Sequence, residues 1–159
     1  MKIKEYGKVL SNNTNSLRIS PPNTISVNLE HKLSGHLMVD VKLNGNVGKF
    51  ILDTGAGQTL LDQASVSKFE LNTKPTEDTA TGAGDQLTMQ TALIDSLEIG
   101  SFKKCDFELY VVSLEHITSA LLALGIEKPD GIIGADILTS QNGIISYREM
   151  KLYLDYNQA

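Results

Sequence analysis

The stretch FILDTGAGQTLL, residues 50–61, decides how the rest of the chain is read. Three apolar residues end in a bare acid, Asp53. A hydroxyl, Thr54, and two glycines, Gly55 and Gly57, follow before the chain turns apolar again. Packing alone does not ask for a carboxylate at the end of a buried strand. Three uses are open to it. In an Asx-type turn the carboxylate accepts backbone N–H bonds. In a phosphate loop, glycines after a strand let backbone amides approach an anion. The third use is as a catalytic acid.

Upstream, Leu37, Val39, Val41 and Leu43 alternate with Met38, Asp40 and Lys42, the period of a half-buried strand. Asn44-Gly45 is a tight-turn pair, and VGKFIL returns as a second strand that delivers the chain into Asp53. Residues 11–26 are polar with paired prolines, and residues 1–25 are expected to form an arm or linker ahead of a single domain, 26–159. Downstream, Asp62 is placed to cap a short helix, and NTKPTEDTATGAGDQ reads as a polar connection.

Leu87, Met89, Thr91, Leu93, Leu97 and Ile99 share one parity, Gly100-Ser101 makes a turn, and Cys105, Phe107, Leu109 and Val111 resume the alternation as a second hairpin. Leu114, Ile117, Leu121 and Leu124 recur at helical spacing between Ser113, an N-cap residue, and Gly125, a C-terminal glycine. A short strand at DGIIG, a helical turn at ADILTS and a strand pair at GIISY and MKLYLD complete the chain. Many short strands without a βαβ rhythm predict a mostly β domain, a closed or partly open barrel with one or two short helices.

Composition narrows the function classes. The chain has 159 residues, 41% hydrophobic and 21% charged, with 13 Gly and 4 Pro, the profile of one soluble globular domain. A net charge of −5, with no basic run longer than Lys103-Lys104, leaves no electrostatic footprint for nucleic acid or an anionic membrane. Neither is expected as a partner. One cysteine forms no internal disulfide, and no paired Cys or His spacing suggests a metal, so no metal and no cofactor are expected. The first residues lack the apolar core of a secretory signal, which predicts a cytoplasmic protein, or a periplasmic or secreted one if a signal has been removed.

A second motif now joins the first. FILDTGAG and DGIIGADIL lie in that order, about 80 residues apart, and each runs from an apolar pair through a glycine turn. Together they resemble the two signatures of the aspartic proteases. The single Asp-Thr-Gly points to the retropepsin-like branch, in which each of two identical subunits provides half of the site. No Walker lysine follows Gly57, and the actin-like folds that use an acid-plus-glycine phosphate turn need roughly twice this length.

The resemblance implies a homodimeric aspartic endopeptidase acting on a peptide or protein substrate. It places Asp53 as the catalytic aspartate, Thr54 as the hydroxyl that grips the partner subunit, and Gly55 as the tight backbone where the loops meet. Ala56 and Gly57, with Thr81, Gly82, Ala83 and Gly84 of a flap tip, would contact substrate. Ile132, Ile133 and Gly134 would brace the catalytic loop from behind. Ala135 departs from the pattern, because retroviral members carry Arg there. The alternative is a dimerising or peptide-binding module of the same fold with little turnover.

Other candidates read as structural. Cys105 is expected to be buried, His31, His36 and His116 to be solvated, and Asp136 to cap the short helix.

Overall fold

The computed structural model describes residues 23–82 and 85–156. Its strands are β1 (Thr24–Asn28), β2 (Glu30–His31), β3 (Leu37–Leu43), β4 (Asn46–Leu52), β5 (Leu60–Asp62), β6 (Thr73–Gly82), β7 (Asp85–Ile99), β8 (Phe102–Val112), β9 (Gly131–Ile133), β10 (Ile144–Ser146) and β11 (Lys151–Asp155). The helices are α1 (Glu115–Ala123) and α2 (Ala135–Ser140). The larger sheet runs β2-β3-β4-β9-β5-β8-β7-β6, and β3 also pairs with β7, closing a barrel. A second sheet, β1-β11-β10, packs the ends of the described chain together.

The β3–β4 hairpin forms as its sequence predicts. Leu43 pairs with Asn46, and both intervening residues take positive φ, 48° at Asn44 and 86° at Gly45. That backbone twist matches the twist of the flanking strands, which is why Asn-Gly is favoured there. Leu37, Val39, Val41 and Leu43 point into the barrel with Phe50, Leu52 and Ile133.

Met38 is buried too, at 1% exposure. It faces outward onto a second cluster with Ile51, Ile132, Leu114 and Leu121, because α1 covers that side of the wall. Leu124 is not part of this stripe and is 56% exposed.

Two features escape simple alternation. The stretch expected to be a connection contains β6, which pairs with β7 except for an irregularity between Pro75 and Thr79. As the outer strand of the sheet it has few apolar residues to announce it, and a proline is tolerated at an edge. In β7, Leu93 is 69% exposed while Ile94 is fully buried. The strand changes its inward parity where the Asn44 side chain accepts N–H bonds from Asp95 (2.9 Å) and Ser96 (3.1 Å).

Cys105 lies on the same irregular stretch, opposite Ser96. It is exposed, not buried, and the next residue, Asp106, has a φ of 49°. That left-handed residue shifts the inward face from Phe102 to Leu109 and Val111, leaving Cys105 outside.

Candidate functional site

Asp53 follows β4 directly, and the topology explains why a loop forms there. β9 lies between β4 and β5, parallel to β4 with Leu52 beside Ile133, and antiparallel to β5 with Leu60 beside Ile132. The chain must therefore cross the end of β9 between residues 53 and 59. As it crosses, the Asp53 N–H donates to Ile133 O at 3.0 Å, and the Ala135 N–H donates to Ala56 O at 2.7 Å. The loop and the Gly134 turn are stitched together by backbone.

Within the loop, the Gly55 N–H donates to Asp53 Oδ1 at 2.8 Å, and the Ala56 N–H to Asp53 O at 3.3 Å. The Asx turn expected as the plain structural use is thus present. It fixes one carboxylate oxygen, and Oδ2 makes no hydrogen bond within the described chain. Asp53 is half-buried, and Thr54, Gly55, Gly57 and Gln58 are exposed. The carboxyl group therefore sits at a surface formed by its own loop.

Gly134 is glycine for reasons of space. Its φ of −98° is ordinary, but an added Cβ would lie 2.6 Å from the Gln58 carbonyl carbon and oxygen and 2.8 Å from Ala56 O. Ile132 and Ile133 are buried on opposite faces of β9, one against the α1 cluster and one in the barrel. The structure thus brings Asp53, Ile133 and Gly134 together.

Sequence reasoning missed the side chains that hold this junction. Thr59, 2% exposed, donates its hydroxyl to Asp136 Oδ1 at 2.7 Å and accepts the Gly134 N–H at 3.1 Å. Asp136 is therefore a strut to the loop and not a helix cap; the N-cap position of α2 is Gly134, which has no side chain. No charge is needed at Ala135 to fasten this corner.

Asp130, 7% exposed, accepts from the Lys49 N–H (3.0 Å), Ser65 Oγ (2.8 Å) and Lys68 Nζ (2.7 Å). It ties the start of β9 to β4 and to the turn after β5. No signal in the sequence marks Thr59, Asp130 or Asp136, because each acts on residues more than 60 positions away.

β6 and β7 form a long hairpin whose last paired residues are Gly82 and Asp85. Thr81 and Gly82 thus sit at the end of a hairpin; Ala83 and Gly84 lie outside the described residues. Midway along β6, in the irregular stretch between Pro75 and Thr79, the Tyr110 hydroxyl donates to Asp78 Oδ2 at 2.9 Å, linking β6 to β8, and the neighbouring carboxylate raises the Tyr110 phenol above its ordinary range. Among the described residues no group of three or more His, Cys, Asp or Glu is arranged to hold a metal ion. No helix there is long and apolar enough to cross a membrane.

The family model for aspartyl proteases matches residues 39–137, from within β3 to within α2. No curated protein matches the chain. Among solved structures, a retropepsin-like aspartic protease from Rickettsia conorii is similar with a TM-score of 0.60 at 18% identity, over 84% of this chain and 92% of that one. The EIAV protease, complexed with the inhibitor HBY-793, is similar with a TM-score of 0.53 at 17% identity, over 70% of this chain and 92% of that one. At those identities the likeness concerns the fold, and it is the fold described above. With the family match spanning the Asp53 loop and the Gly134 turn, the chain belongs to the aspartyl protease family, and its fold is retropepsin-like.

Proposed function

We propose that the protein is a homodimeric aspartic endopeptidase in which Asp53 of each copy supplies one carboxyl group of the catalytic pair. The observation that carries this reading is the Asp53 loop, braced from behind by backbone and by Thr59, and presenting a carboxyl group at an exposed surface. A single such loop makes half a site.

Two carboxyl groups brought to about 3 Å do not both ionise, so the pair holds one proton. The ionised member accepts a proton from a water held between them, and the oxygen of that water attacks the peptide carbonyl carbon. The protonated member donates a hydrogen bond to the carbonyl oxygen as charge develops there. The tetrahedral intermediate collapses with proton transfer to the leaving amine, and the pair returns to its one-proton state. Thr54 would grip the partner across the two-fold axis, and Gly55, with no side chain, lets the two loops approach. Ala56, Gly57 and the end of the β6–β7 hairpin would hold the substrate backbone.

Asp53→Asn should abolish cleavage of a peptide substrate while leaving the unfolding midpoint unchanged, and a statine-type mimic of the tetrahedral intermediate should inhibit the wild type. Undiminished turnover in Asp53→Asn would remove Asp53 from the mechanism. A wild-type dimer that binds peptide without cleaving it would point to the binding-module alternative.

A further inference from the structure

The β6–β7 hairpin outruns the barrel that carries it. β8 pairs with β7 from Ile99 as far as Gln90, which lies opposite Val111, and no further. Beyond that row, residues 85–88 of β7 pair only with residues 79–82 of β6, so a two-stranded ribbon projects past the sheet. Two strands alone have no third neighbour to hold their direction.

The ribbon leaves the barrel at an irregularity. Between the Pro75–Gln90 and Thr79–Thr88 pairs, β6 advances four residues while β7 advances two. Such an insertion bends the strand that carries it and re-aims what lies beyond. Break and departure fall at the same row, because Gln90 is the last residue of β7 with a partner on both sides.

One side-chain contact spans this joint. Tyr110 stands in the body of the barrel, opposite Thr91 of β7 on one side and beside Leu60 of β5 on the other. Its hydroxyl reaches across β7 to donate to Asp78 Oδ2 at 2.9 Å, within the inserted residues. Of the described side chains of β6, no other hydrogen-bonds to the barrel. Asp78 is itself set by a near neighbour. Its N–H donates to Thr76 Oγ1 at 3.2 Å, and the Thr76 hydroxyl donates to Asp78 Oδ2 at 3.3 Å.

We propose that Tyr110 and Asp78 are a positioning pair that fixes the angle at which the ribbon leaves the barrel, and through it the affinity for a peptide substrate. The inference rests on the endopeptidase reading above, in which the end of this hairpin holds the substrate backbone. Without the bond the ribbon samples other angles, and apparent affinity falls with the fraction of molecules that hold the competent one. Asp53 lies on a different loop, after β4, so the chemical step is left alone.

The test combines amide hydrogen exchange with steady-state peptide cleavage on the full chain. It compares wild type, Tyr110→Phe, Asp78→Ala, their double variant and Asp78→Asn, which keeps an acceptor oxygen. Amides of residues 85–88 are expected to exchange about three- to fivefold faster in Tyr110→Phe and in Asp78→Ala, with those of β3 and β4 unchanged. KM should rise by about the same factor while kcat stays within about twofold. The double variant should be no worse than either single one, since the two side chains share one bond, and Asp78→Asn should match the wild type.

Ribbon exchange at the wild-type rate in Tyr110→Phe overturns the inference. So does faster exchange throughout the barrel, which would make Tyr110 a general stabiliser, and so does a fall in kcat with KM unmoved. A wild type that cleaves no peptide overturns the endopeptidase reading, and the exchange result alone then decides whether the pair holds the ribbon.

Discussion

Gly134→Ala tests the crossing of the Asp53 loop over β9 with one methyl group. The added carbon would meet backbone atoms of Gln58 at 2.6 Å and of Ala56 at 2.8 Å, and backbone cannot rotate away as a side-chain tip can. Relief requires the loop to lift by several tenths of an ångström. That movement strains the Ala135 N–H to Ala56 O bond at 2.7 Å and the Gly134 N–H to Thr59 Oγ1 bond at 3.1 Å. Losing both costs about 2 kcal/mol, and overpacking adds about 1–3 kcal/mol. Alanine recovers up to about 1 kcal/mol by restricting the unfolded chain.

The net expectation is a loss of roughly 2–4 kcal/mol, a fall in Tm of roughly 5–15 °C for a chain of this size. Urea denaturation followed by circular dichroism measures it, with Gly57→Ala as the internal control. Gly57 lies in the same loop, has no atom within 4 Å of its added Cβ and no positive φ, so that variant should match the wild type within about 0.5 kcal/mol. A Gly134→Ala protein as stable as Gly57→Ala would refute the close crossing.

Two further outcomes follow from the same geometry. Thr59→Val keeps the shape of a side chain that is 2% exposed but leaves the buried Gly134 N–H without an acceptor and Asp136 without a donor. The expected loss in denaturant unfolding is about 2 kcal/mol, and a change below about 0.5 kcal/mol would remove this strut from the account of the loop. The second concerns acid. Hydrogen bonds from Lys32, at 2.6 Å, and from Lys49 hold the Glu30 carboxyl down from its ordinary 4.5 to about 2. A carboxyl lowered in the folded state stabilises it above pH 4.5, and that contribution fades as pH falls toward 2. Because the side chain is 46% exposed, solvent screening keeps the effect below about 1 kcal/mol. Glu30→Gln should flatten that part of the stability profile, and an unaltered slope between pH 4.5 and 2 would show that the ion pairs contribute nothing.

What the sequence reveals depends on how local the cause is. The β3–β4 hairpin is legible because alternation and an Asn-Gly turn are properties of neighbouring residues, and so is the capping of the turn after β5 by Asp62. β6 is not legible, since an edge strand that buries little need not alternate. Leu93 breaks its alternation for a different reason. Asn44, about 50 residues away, accepts the Asp95 and Ser96 N–H bonds where the inward parity of β7 changes, and no window around residue 95 contains that information.

The same division holds at the site. By itself the sequence determined that an acid and a glycine turn end an apolar strand, and that a second apolar-glycine motif lies downstream, because strand period and turn chemistry are short-range. Only the tertiary structure decided that β9 slides between the arms of the Asp53 loop, that Gly134 must lack a side chain there, and that Thr59 and Asp136 clasp across 77 positions of chain. Those facts arise where backbone from distant segments competes for the same few ångströms, and such contacts exist only once the barrel has closed.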